Sequence, residues 1–143
     1  MRRFLLLGLL FLASCSRTQL SPSEPPPISE TVRAEWVIAQ EKVVTLAGPR
    51  ASAICPEAFQ WREHVGMFVC PPSSALKQGC FGPDAPGGPR VDWDTTAPSI
   101  VRHESGHAIL WALGDPRWDC FEHNDPGNPN FEERCAGLFQ EAR

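Results

Sequence analysis

The sequence contains no tyrosine, so no phenol hydroxyl can donate a proton or a hydrogen bond at a reacting site. It has no cluster of lysine or arginine either, and the net charge is −4. Those two features exclude nucleic acid as a partner and a purely electrostatic hold on a membrane. No internal repeat is present, which excludes solenoid and propeller architectures. The one long apolar run, Phe4 to Leu12, is interrupted only by Gly8 and is too short to span a bilayer.

What is present begins with "MRRFLLLGLLFLASCS". A basic start, an apolar run and small residues read as a secretory signal over 1–14. Its end, Leu12-Ala13-Ser14-Cys15, is similar to a bacterial lipobox, in which the cysteine is lipidated and becomes the new N-terminus. Residues 15–31 are rich in Pro and Ser and poor in large apolar groups. Such a stretch buries too little surface to offset its ordering entropy, so the expectation is an extended tether. Residues 32–143 suffice for one domain. The chain is thus expected in a bacterial cell envelope, lipid-anchored through Cys15, facing the periplasm or exterior, as a monomer.

Six cysteines in a chain of 143 residues fit an oxidising compartment. If Cys15 carries lipid, Cys55, Cys70, Cys80, Cys120 and Cys135 remain, an odd number that leaves one free thiol or an intermolecular bond. Cys120–Cys135 is the natural local pair.

Along the domain, Ala34 to Leu46 is ambiguous between helix and strand, and Val43-Val44-Thr45 favours a strand late in the segment. "VGMFVC" (65–70) reads as a buried strand stopped by Pro71-Pro72, and residues 79–90 read as a Gly/Pro loop. "RVDWD" (90–94) alternates as a short strand. A helix follows: Thr95 or Thr96 can cap it, Pro98 fits its first turn, and Gly114 with Pro116 ends it. Because it is apolar around most of its circumference, this helix should be central and buried.

That helix carries "HESGH" (103–107). Positions i and i+4 share a helical face, so His103 and His107 can aim both imidazoles at one ion. Glu104 lies about 60–100° around the cylinder, too offset to ligate but placed to reach a water on that ion. Two ligands plus a general base make a zinc-hydrolase pattern. Gly106 costs about 1 kcal/mol in a helix interior, which close backbone packing would offset.

The stretch resembles the active-site helix of the zincin metallopeptidases, His-Glu-x-x-His. The resemblance implies zinc on His103 and His107, Glu104 as the base, and a peptide or protein substrate. It also implies an α+β fold, a small twisted sheet packed on the motif helix with a cleft along the sheet's edge strand. "RVDWD" would suit that edge, and disulfides would stabilise the domain. Leu110 and Leu113 stand where the metzincin branch has glycine and histidine, so the chain is not a metzincin.

A catalytic zinc takes three protein ligands and one open position. His123 is the only histidine downstream of the helix and is our third ligand, in a loop pinned by Cys120–Cys135; Glu122 and Asp119 are the next candidates. Asp115 or Asp125 would accept from a ligand histidine's free N–H. With tyrosine absent, His64 and Arg117 are the candidates for an oxyanion stabiliser. The leading expectation is a membrane-anchored zinc metallopeptidase. The alternative is a catalytically inactive zincin-like lipoprotein that binds metal or a protein partner.

Overall fold

In the computed structural model, residues 27–139 are described. The signal peptide, the Cys15 lipidation site and most of the tether lie outside them. The first helix, α1 (Glu30–Ala47), starts where the Ser29 hydroxyl accepts from the Val32 amide, so the tether ends two residues short of position 31. The segment is helical throughout, and the β-strand expected around Val43 is corrected. Val32, Trp36, Ala39 and Val43 recur at helical spacing and are all buried, and that tertiary burial overrides the β-branched preference.

Five strands follow: β1 (Gln60–His64), β2 (Phe68–Val69), β3 (Leu76–Lys77), β4 (Gly79–Gly82) and β5 (Arg90–Asp94). The main sheet has the order β1-β5-β4, with β1 parallel and β4 antiparallel to β5. "RVDWD" is therefore the central strand and not the edge. Its Val91, Asp92, Trp93 and Asp94 are all buried because both of its neighbours are occupied. The edge beside the second helix is β4, in a stretch read from its glycines as loop. Gly79 has a packing reason: an added Cβ would stand 2.6 Å from Ile100 Cγ1 and 2.9 Å from Glu104 Oε1.

The 65–70 segment is also corrected. Only Phe68–Val69 is a strand, paired with β3 in a separate two-stranded ribbon. One face of that ribbon meets water, which leaves Val69 51% exposed, and Val65, in the bend before the ribbon, is 91% exposed. Cys70, which is buried, is bridged to Cys80 of β4 and so ties the ribbon to the sheet. No described cysteine is a free thiol. The odd-thiol expectation turns on Cys15, outside the described residues.

The second helix, α2 (Ser99–Ala112), packs between α1 and the inner face of β4 and β5. Val101 and every residue from Glu104 to Leu110 are buried, as the all-round apolar pattern requires. Neither Thr95 nor Thr96 caps it. Instead Asp94 Oδ1 accepts from the Thr96 amide (2.8 Å), the Thr96 hydroxyl (2.7 Å) and the Gly66 amide (2.9 Å), fixing the turn into the helix. The C-terminus is a Schellman closure: Gly114 at φ 70 donates to Trp111 O, and Asp115 donates to Leu110 O. Among the described residues the fold is α+β, with a small sheet, two α-helices and the disulfides Cys70–Cys80 and Cys120–Cys135. Among the described residues no helix is long and apolar enough to cross a membrane.

Candidate metal centre

His103 and His107 lie one turn apart on α2 with their Nε2 atoms 3.1 Å from each other. His123 joins them from the loop after α2, its ring centroid 5.0 Å from that of His103 and 5.3 Å from that of His107. One ring nitrogen from each of the three falls within 4.8 Å of the others, a cluster that could hold a metal ion. The structure thus brings together the three histidines expected from the sequence.

The far side of each ring is anchored. His103 Nδ1 meets Glu122 Oε2 at 3.0 Å, His107 Nδ1 meets the Trp118 carbonyl, and His123 Nδ1 meets the Asn130 carbonyl at 2.7 Å. Carbonyls and an ionised carboxylate only accept, so each Nδ1 carries the proton and each Nε2 turns a lone pair to the shared space. Two such lone pairs 3.1 Å apart repel unless a proton or a cation lies between them. Fixed Nδ1 partners of this kind are what orient histidine ligands for a metal. The His107 imidazole is pushed down to about 3, first by burial and then by its neighbour His103, so it stays a neutral donor through mild acid.

These acceptors correct the sequence expectation. Asp115 is occupied by Arg117, and Asp125 Oδ1 accepts from the Gly127 amide. Asp119 pairs with Arg134. Glu122, a candidate ligand, backs His103, and its carboxyl is held down to about 2, chiefly by the hydrogen bond from that ring. The two carbonyls carry no sequence signal, because every residue has one.

The loop presenting His123 is built for one geometry. The Cys120–Cys135 bridge closes it, the His123 amide donates to Cys120 O (3.0 Å), and the Glu132 amide donates to His123 O (2.9 Å). Glu122 sits at φ 60, the one positive φ outside glycine among the described residues. That uncommon backbone turn lets consecutive side chains, Glu122 and His123, reach the centre from two directions. Beneath them, the fully buried Phe121 ring lies against Gly106, where an added Cβ would come within 2.0 Å of Cε1. The close packing expected to justify a glycine inside the helix is this contact.

Glu104 is buried between α2 and β4 beside Gly79. Burial raises its carboxyl to about 7, against the opposing pull of His103, Lys77 and the Phe81 amide. It ends up poised to hold or release a proton near neutrality. Neither candidate oxyanion group joins the histidines: His64 Nε2 binds Asp92 (2.8 Å), and Arg117 binds Asp115. Sequence reading missed Phe121, Gly79 and β4; Gly106 and Gly79 were the available signals, since each marks a close approach.

No family model, curated protein or solved structure matches this chain.

Proposed function

We propose that this chain is an extracytoplasmic zinc-dependent hydrolase of zincin type that cleaves peptide bonds, tethered to a membrane by lipid on Cys15. The observation that carries this reading is the convergence of three Nε2 lone pairs, each with its Nδ1 anchored, on a helix that also carries the buried Glu104. Three imidazoles leave one position open, which is the donor set of a catalytic zinc. Zn–N bonds of about 2.0–2.1 Å in a tetrahedron put nitrogens about 3.3 Å apart. The 3.1 Å between His103 and His107 is close to that edge. A zinc bound there would supply a Lewis acid for a carbonyl and lower the pKa of water.

The chain's own residues would do the rest. Glu104, near neutrality in its affinity for protons, would take one from the attacking water and deliver it to the leaving nitrogen. β4 is the antiparallel edge beside Glu104, and an extended peptide would pair with it through main-chain groups. The disulfides Cys70–Cys80 and Cys120–Cys135 agree with an oxidising compartment, and the lipobox-like Leu12-Ala13-Ser14-Cys15 supports a lipid tether.

A second reading, an inactive metal-binding lipoprotein, is favoured by one observation: His64 and Arg117 are both engaged away from the histidines. The test is hydrolysis of mixed peptides by wild type and Glu104→Gln at matched zinc occupancy. The hydrolase reading expects a fall of roughly 10²–10⁴-fold, as for loss of a general base. Equal, non-zero rates would remove Glu104 from the mechanism, and no turnover by wild type would favour the second reading.

A further inference from the structure

We propose that Lys42 is a positioning residue of the metal centre, fixing the His103 ring through Glu122 and so tying α1 to the site. The inference rests on the reading of the three histidines as a metal site. Lys42 projects from α1, and its Nζ donates to Glu122 Oε1 at 2.5 Å, while Glu122 Oε2 accepts from His103 Nδ1 at 3.0 Å. The carboxylate is thus held at both oxygens, one by the cation and one by the ligand ring. The same ammonium stands 5.2 Å from the centroid of Phe121, whose ring lies about as close to both α2 histidines, at 6.2 and 6.0 Å.

Glu122 needs an anchor of this kind. Its backbone is left-handed at φ 60, a conformation that persists where the surroundings over-determine it. Stability is not the purpose of the pair. The Lys42 side chain is 49% exposed, and ion pairs so open to water contribute little to stability. A partner that orients a metal-binding ring matters much more to the metal, with losses of 10–100-fold in affinity typical for groups touching a ligand. Lys42 acts one step further out, so its removal should weaken binding by roughly three- to tenfold.

The sign of the effect separates this role from simple charge. Removing a cation near a metal site should tighten binding of a divalent ion by Coulomb's law. Loss of positioning should weaken it. The experiment measures zinc affinity of the full chain by competition with a chromophoric chelator. The variants are Lys42→Met, which keeps an apolar stem over Phe121, Lys42→Arg, which keeps the cation, Glu122→Gln, and the Lys42→Met/Glu122→Gln pair. Thermal unfolding of each variant establishes that it is folded. The expected result is weaker binding for Lys42→Met, near wild-type binding for Lys42→Arg, and no further weakening when Lys42→Met is added to Glu122→Gln. Unchanged or tighter binding in Lys42→Met, or an equal weakening in both backgrounds, overturns the proposal. His103→Ala distinguishes the two levels. Undiminished zinc affinity there overturns the metal site itself, whereas lost affinity there beside an inert Lys42→Met overturns only the role of Lys42.

Discussion

Gly106→Ala places a methyl group in the best-defined contact of the site. The new Cβ would stand 2.0, 2.2 and 2.4 Å from Cε1, Cδ1 and Cζ of Phe121, so the ring must shift by more than an ångström. In an open helix the change would stabilise by up to about 1 kcal/mol, because alanine is the better helix former. Here the ring is fully buried, and overpacking of that kind costs about 1–3 kcal/mol or more. The clash should win, leaving a net loss of about 1–2 kcal/mol. At about 4 °C per kcal/mol for a domain of this size, the drop in Tm should be easily measured. Because Phe121 precedes Glu122 and His123 in the chain, zinc affinity should fall in the same variant. Adding Phe121→Leu, which shortens the clashing group, should recover part of both losses. The assay is thermal unfolding together with chelator competition on the single and double variants. A Gly106→Ala protein as stable as wild type, with full zinc affinity, would show that the Phe121 contact constrains neither the fold nor the site.

Glu104 gives a pH prediction for the metal-free protein. Its carboxyl is raised from 4.5 to about 7 by burial, so between those values the folded chain holds a proton that the unfolded chain has released. Glu104 therefore contributes a loss of on the order of 3 kcal/mol as pH rises from about 4.5 to about 7, opposed by the gain from His107, which is pushed down to about 3. The stability difference between wild type and Glu104→Gln should show that loss over this window; a difference that does not change with pH would contradict it. Replacing Cys120 and Cys135 by serine opens a loop closed over 15 residues and should cost about 3 kcal/mol. The same change should weaken zinc binding, and unchanged affinity would mean that the bridge does not hold His123 in place. Cys15→Ala should move the protein from the membrane to the soluble fraction or halt its processing, and unaltered fractionation with no incorporated fatty acid would end the lipid proposal.

The parts of the fold that sequence made legible are those encoded locally. The α2 helix announces itself through Pro98, the apolar periodicity and the Gly114 stop, and His103 and His107 follow from a spacing of four on that helix. His123 was accessible by combining histidine scarcity with a local cysteine pair. The α1 helix was obscured by its Val43-Val44-Thr45 run, although Val32, Trp36, Ala39 and Val43 already mark a helical stripe. β4 was hidden because Gly79 and Gly82 carry turn chemistry, while the requirement at Gly79 is imposed by Ile100 and Glu104 from another element. The anchors of the histidines were the least accessible. Two are backbone carbonyls, and the third, Glu122, depends on a left-handed turn that no residue type in the loop signals.

Three imidazoles converging on one zinc is a statement about the metal's coordination shell. X-ray absorption of the zinc-loaded protein, recorded for wild type and for His123→Ala, tests it most directly. The expected shell is three imidazole nitrogens and one further light-atom ligand at about 2.0–2.1 Å in wild type, falling to two imidazoles in the variant. A sulfur shell near 2.3 Å, or a spectrum that His123→Ala leaves unchanged, would contradict it.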